Sequence, residues 1–255
     1  MSYTLLLENY TDSNIFKILD EITACIQSIK DELISRNFDA DKLELALGGT
    51  SSGAHVALLY TYSMKNSPIP IKFAIDIVGP VSLESKCWYK LIDINNPLDT
   101  LSPESIQKGI DENKIQNVYN DSILLSIMNG FLGRIYKEEE LLGMIENGTI
   151  KETDSKYQEM FNRVKYSFPV TYVNANTVPT LCQYAGKDII AGIGHYSCLY
   201  SAFEKVGIQD KAKIIYMKYG GHELVNFDTD NGLKAMRNFN YEILDFAKAY
   251  FTHDN

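Results

Sequence analysis

Leu45-Ala46-Leu47-Gly48-Gly49-Thr50-Ser51-Ser52-Gly53-Ala54-His55 runs from an apolar strand into an apolar helix, and its reading decides the fold. Gly49, Ser51 and Gly53 make a G-x-S-x-G pattern. Alone the pattern is common in loops, but between a strand and a helix it describes a sharp turn that lifts a serine hydroxyl above the sheet edge in strained backbone geometry. The flanking glycines let neighbouring backbone pass without a Cβ clash. The hydroxyl then lies at the N-terminus of the following helix, where the dipole favours developing negative charge. The N–H of Ser52 can point at a tetrahedral oxyanion. A Gly/Ser-rich phosphate-binding turn is the competing reading, but no Lys follows as a P-loop requires.

Outward from this turn, strands and helices alternate. Upstream, Tyr3 to Leu7 suits the end of a buried strand. Asp12 or Ser13 can cap a helix whose apolar residues (Ile15, Leu19, Ile22, Ile26, Ile29, Leu33) fall on one stripe. The turn's own strand is Leu43 to Leu47 and its helix Ala54 to Ser63. Downstream come strands Ile71 to Val78, Pro179 to Ala185 and Ala212 to Tyr219, and a helix from about Tyr196 to Val206. A final amphipathic helix carries Leu233, Met236, Phe239, Ile243, Phe246 and Tyr250. This order predicts one α/β domain over residues 1–255, with a mostly parallel sheet covered by helices on both faces. Between Ser82 and about Asn176 the alternation lapses over a span too long for a loop. A helical insertion is expected there (82–176), with helices near Ser122 to Phe131, Lys137 to Ile145 and Ser155 to Val164.

A serine hydroxyl needs a base, and the base needs an orienting acid. Of four histidines, His222 is the best base, because it follows a strand and Gly220-Gly221 and so sits on a loop at that strand's C-terminal end. His195 begins a helix and is the runner-up. His55 lies one helical turn beyond Ser51 and reads as a packed or capping residue, and His253 falls in the C-terminal tail. Asp188 matches as the acid, since Gly186-Lys187-Asp188 also closes a strand; a helix-capping role is its alternative. Active sites on parallel sheets form at the C-terminal strand ends, where all three candidates fall.

Composition narrows the partners. Hydrophobic residues make up 45% and charged residues 22% of the 255, enough for a real core. A net charge of −9 argues against a nucleic-acid binder, which needs a basic face. No apolar run approaches the roughly 18 residues of a membrane span, and the N-terminus lacks a signal-peptide layout, so a cytoplasmic location is expected. Cys25, Cys87, Cys182 and Cys198 show no metal-ligand spacing and read as reduced thiols, Cys25 and Cys182 as small core residues. The sequons at Asn9, Asn120 and Asn147 read as chance in an Asn-rich chain.

The order Ser, Asp, His is that of the α/β hydrolases. The chain resembles their esterase/lipase branch, which includes carboxylesterases and acetyl-xylan-esterase-like enzymes. The matching pieces are Leu45 to His55, Ser167-Phe168-Pro169-Val170-Thr171-Tyr172-Val173, Val178-Pro179-Thr180 leading to Asp188, and Gly220-Gly221-His222. The resemblance implies cofactor-free and metal-free hydrolysis of a small-molecule ester through an acyl-enzyme. Ser51, Asp188 and His222 would be the triad, and 82–176 the cap that shapes the pocket. Members of this branch carry two or three further N-terminal strands and a His-Gly-Gly-Gly loop that gives a second oxyanion donor. Neither is found in these 255 residues, so the expected fold is N-terminally shortened. Two alternatives stay open: an inactive homologue acting as a binding module, and an amide or peptide hydrolase on the same fold.

Overall fold

A computed structural model describes residues 14–64, 66–82, 84, 87–93, 96–117, 125–127, 129–130, 132, 135–149, 153–223 and 230–251. In chain order its principal elements are α1 (Ile15–Ser35), β1 (Leu45–Thr50), α2 (Ser52–Ser63), β2 (Ile71–Ile77), β3 (Tyr89–Leu91), α3 (Pro103–Asp111) and β4 (Ile115–Asn117). There follow α4 (Glu138–Glu146), α5 (Ser155–Tyr166), β5 (Thr180–Ala185), α6 (Gly194–Lys205), β6 (Ala212–Met217) and α7 (Asp230–Tyr250).

The main sheet has the order β1-β2-β5-β6 and every pairing is parallel. All four strands therefore end at one edge, with Ser51 directly after β1, Asp188 just past β5 and His222 just past β6. Among the described residues, β1 pairs with β2 on one side and with no strand on the other.

The two-residue period of the strands divides the core. Phe73 and Leu181 face α7, where Phe246 meets Phe73 edge-on at 5.4 Å between centroids. Ala74 and Cys182 face the other way, into a cluster with Leu58 and Tyr62 of α2 and Leu199 and Phe203 of α6. Helix α2 is apolar nearly all round because it is enclosed on both sides. Leu58 and Tyr62 face the sheet cluster, whereas Leu59 and Tyr60 pack with Ile15, Leu19 and Ile26 of α1. Each such buried side chain contributes about 2 kcal/mol.

Several expectations are corrected. Helix α1 follows its apolar stripe, but its cap is Asn14, whose Oδ1 accepts from Phe16 N–H at 3.0 Å and Lys17 N–H at 3.1 Å. The first strand continues through Gly48 and Gly49 to Thr50, because pairing with β2 outweighs glycine's poor strand propensity. The insertion is not purely helical: β3 and β4 pair antiparallel, Tyr89 opposite Asn117. Three-residue strands are too short to leave a periodic signal. Helix α3, capped by Ser102 with Pro103 at its first position, also went unread. Helices α4 and α5 occupy the two later expected runs; of the Ser122 to Phe131 run the described residues, 125–127 and 129–130, are helical, and the rest lies outside the described residues. The expected strand Tyr3 to Leu7 lies outside the described residues. The insertion builds its own buried cluster from Trp88, Tyr136, Leu141, Met160, Val164 and Phe168.

The cysteines also depart from expectation. Cys87 and Cys198 form a disulfide, tying the start of the insertion to α6, while Cys25 and Cys182 are free. A separation of 111 residues leaves no sequence signal, and the pair is read only from the fold. Closing so long a loop restricts the unfolded chain by about 5 kcal/mol. Replacing both half-cystines by serine is expected to lower the denaturation free energy by about that amount. An unchanged guanidinium midpoint would show that the bridge contributes nothing.

Candidate active site

Ser51 sits at φ 56° and ψ −124°, a region that costs a non-glycine residue about 1–3 kcal/mol. Its surroundings hold it there. Ser51 N–H donates to Ile77 O at 2.8 Å, and its own carbonyl accepts from Ala54 N–H at 3.0 Å and His55 N–H at 3.1 Å. The two glycines of the turn are not equivalent. A Cβ on Gly49 would stand 2.4 Å from the Gly53 carbonyl carbon, whereas one on Gly53 would meet nothing within 4 Å. Gly49→Ala is therefore expected to destabilise the fold by about 3 kcal/mol. Gly53→Ala, in the first turn of α2, should be neutral or stabilising by up to about 1 kcal/mol. Equal thermal shifts in the two variants would contradict this packing.

The loops that carry Asp188 and His222 are bonded directly to each other. Gly186 N–H donates to Met217 O at 3.0 Å and Lys187 N–H to Gly220 O at 2.9 Å. A Cβ on Gly186 would stand 2.4 Å from Lys218 O, so only glycine lets the loops close this tightly. Across this seam His222 Nδ1 lies 2.9 Å from Asp188 Oδ2, and His222 Nε2 lies 2.9 Å from Ser51 Oγ. The other carboxylate oxygen, Asp188 Oδ1, accepts from Ile190 N–H at 2.8 Å and Ala191 N–H at 3.0 Å. Asp188 is buried and His222 keeps a partly open face. With an ionised Asp188 as acceptor, Nδ1 carries the imidazole proton and Nε2 is free to accept from the serine hydroxyl. Ser52 opens α2, and its amide is one of the first-turn N–H groups that have no intrahelical acceptor.

No protein-family model matches the chain, and no curated protein matches it by sequence. Solved structures match it by shape. A truncated form of a carbohydrate esterase from gut microbiota is 17% identical with a TM-score of 0.52, covering 88% of this chain and 67% of that one. An esterase of Thermogutta terrifontis with butyrate bound is 12% identical at TM-score 0.53, covering 95% of this chain and 69% of that one. The Thermogutta terrifontis esterase 2 phosphonylated by sarin is 12% identical at TM-score 0.54, with the same coverage of 95% and 69%. The chain has the α/β-hydrolase fold. It spans about two thirds of the length of these esterases.

Within that hydrolase fold the remaining histidines are placed elsewhere. His195, the runner-up base, is fully buried; its Nδ1 accepts from Val81 N–H at 3.3 Å and its ring stands edge-on to Trp88. Burial, with His55 adding to it, pushes its pKa down to about 3, so it stays neutral. His55 donates from Nδ1 to Pro80 O at 2.5 Å, and burial lowers its pKa as well. His253 lies outside the described residues. A cavity of about 1290 Å³ opens between α3, α5 and α6, but none of Ser51, Asp188 and His222 lines it.

Sequence reasoning missed the two amides that hold Asp188 Oδ1. An Asp that ends a strand and turns back on the following N–H groups is an Asx turn, a signal that was there to be read. It also missed Asp76, a fully buried acid near the end of an apolar strand. Among the described residues, no group of three His, Cys, Asp or Glu side chains is placed to hold a metal ion, and no helix is long and apolar enough to cross a membrane.

Proposed function

We propose that the chain is a serine hydrolase that cleaves a small carboxylic ester through an acyl-enzyme on Ser51. One observation carries this reading: the unbroken hydrogen-bonded run Ser51 Oγ, His222, Asp188, on a serine held at positive φ between a parallel strand and its helix. In the mechanism, Ser51 Oγ attacks the ester carbonyl while His222 Nε2 takes its proton. Asp188 holds the Nδ1–H tautomer and stabilises the imidazolium that forms. Ser52 N–H faces the developing oxyanion, an interaction worth about 3 kcal/mol per donor. The imidazolium then protonates the leaving alkoxide, and a water activated by the same nitrogen releases the acid. Residues 82–176 act as the cap over the site.

Like the esterases it resembles in shape, the chain is read as taking esters. That one of them is phosphonylated by sarin suggests the probe. A fluorophosphonate should label the folded protein at Ser51, and p-nitrophenyl acetate should be hydrolysed faster than the matching anilide. A folded protein that takes no label would overturn this reading in favour of a binding module, and preference for the anilide would move it to amide hydrolysis. The Cys87–Cys198 bridge favours work in an oxidising compartment over the cytoplasm.

A further inference from the structure

We infer that Asp76 is a positioning residue for the nucleophile, working in its protonated form by pinning the turn on which the Ser51 elbow rests. This extends the serine-hydrolase reading above and depends on it.

Asp76 lies next to the last residue of β2, opposite Gly49 of β1 and Cys182 of β5, and is fully buried. Its Oδ1 accepts from Gly79 N–H at 2.8 Å. Its Oδ2 lies 2.6 Å from the Tyr184 hydroxyl, which also lies 3.0 Å from Gly79 O. The Tyr184 hydroxyl has a single proton for two oxygens. With Asp76 ionised, either the carboxylate or the Gly79 carbonyl goes without it, and both are buried. With Asp76 protonated, its Oδ2–H donates to Tyr184 Oη, Tyr184 donates to Gly79 O, and every group is satisfied. The hydrogen count therefore selects the neutral acid.

The turn so pinned bears on the elbow at successive points. Ile77 O accepts from Ser51 N–H, Gly79 packs against Ala54, and Pro80 O accepts from His55. A Cβ on Gly79 would stand 2.3 Å from Asp76 Oδ1 and 2.6 Å from the Ala54 Cβ, which shows how closely the carboxyl, the turn and the first turn of α2 are stacked. Between them Val78 takes φ 47°, a conformation a β-branched residue holds only when its neighbours enforce it. Release of the Gly79 carbonyl would let this strained turn relax and carry Ser51 with it.

The titratable groups facing Asp76 are Tyr62 of α2 and Cys182 and Tyr184 of β5, all acids. Burial is the main cause that pushes each of them up, and none supplies a positive charge to draw the proton from Asp76. Burial likewise raises Asp76 to about 7, against the hydrogen bonds from Tyr184 and Gly79. Activity should fall as pH passes about 7, where Asp76 loses its proton. The stability sign agrees: an acid raised on folding stabilises fully below its unfolded pKa, and that contribution is lost as pH climbs through about 7.

The test compares wild type, Asp76→Asn, Asp76→Ala and Tyr184→Phe for kcat and KM on p-nitrophenyl acetate from pH 5 to 8.5, with thermal midpoints at each pH. Asparagine keeps the acceptor for Gly79 N–H and a donor for Tyr184. Asp76→Asn should retain most of the kcat at pH 6, and should lose both the fall in kcat above pH 7 and the part of the drop in thermal midpoint that wild type shows as pH climbs through about 7. Asp76→Ala should lose about tenfold in kcat at every pH with KM little changed, and Tyr184→Phe several-fold. The inference is overturned if Asp76→Asn keeps the wild-type falling limb, or if Asp76→Ala matches wild type in kcat. A wild type that neither turns over nor takes a fluorophosphonate sinks the underlying reading. An active, labelled wild type with unaltered variants sinks this inference alone.

Discussion

Ser51→Ala is expected to lower kcat on p-nitrophenyl acetate by about 10⁵- to 10⁶-fold while leaving the protein folded. The size follows from the cooperation of the three side chains: without the nucleophile, His222 and Asp188 have nothing to activate, and what remains is binding and the Ser52 amide. Folding should survive because alanine and serine meet much the same strain at φ 56°, and the backbone bonds to Ile77, Ala54 and His55 do not involve the hydroxyl. Stopped turnover with a melting temperature within a few degrees of wild type is the expected pair of results. Turnover within tenfold of wild type would remove Ser51 from the mechanism.

Asp188→Asn should cost about 10⁴-fold in kcat through the tautomer of His222. The amide oxygen can keep the Oδ1 role and accept from Ile190 and Ala191. Its Nδ2 then stands where Oδ2 was, 2.9 Å from His222 Nδ1, and donates. The imidazole proton is driven to Nε2, which then presents an N–H to Ser51 Oγ and can no longer take the serine proton. KM and stability should change little. Asp188→Ala is a different experiment, because it strands the buried Ala191 N–H and the part-buried Ile190 N–H and should destabilise the loop by about 2 kcal/mol as well. If Asp188→Asn keeps more than about a tenth of wild-type kcat, the tautomer argument fails.

The parts legible in the sequence are those where chemistry forces a residue type at a fixed place. Gly49 must be glycine because the Gly53 backbone runs against it, and Ser51, Asp188 and His222 all follow strand ends, so the residues later found in one hydrogen-bonded run could be singled out unaligned. The parallel sheet was legible from the runs Ile71 to Val78 and Pro179 to Ala185, which Pro and Gly punctuate and which hold the observed strands Ile71–Ile77 and Thr180–Ala185. What stayed hidden depends on partners distant in the chain. Cys87 meets Cys198 and Asp76 meets Tyr184 only once the sheet and insertion are built, and no local pattern announces either pair. Strands β3 and β4 were hidden for the opposite reason, being too short to carry a period.

The seam between the Asp188 and His222 loops groups the strands into two pairs. Lys187 N–H to Gly220 O and Gly186 N–H to Met217 O make the two loops one body riding on β5 and β6, while Ser51 rides on β1 and β2. The joint between these bodies is the β2–β5 pairing, which runs only over Ala74 to Ile77 against Thr180 to Gln183. The Ser51–His222 contact therefore spans the two bodies, whereas the His222–Asp188 contact lies within one of them. Substitutions along that joint are expected to change the Ser51–His222 distance before they change the His222–Asp188 one.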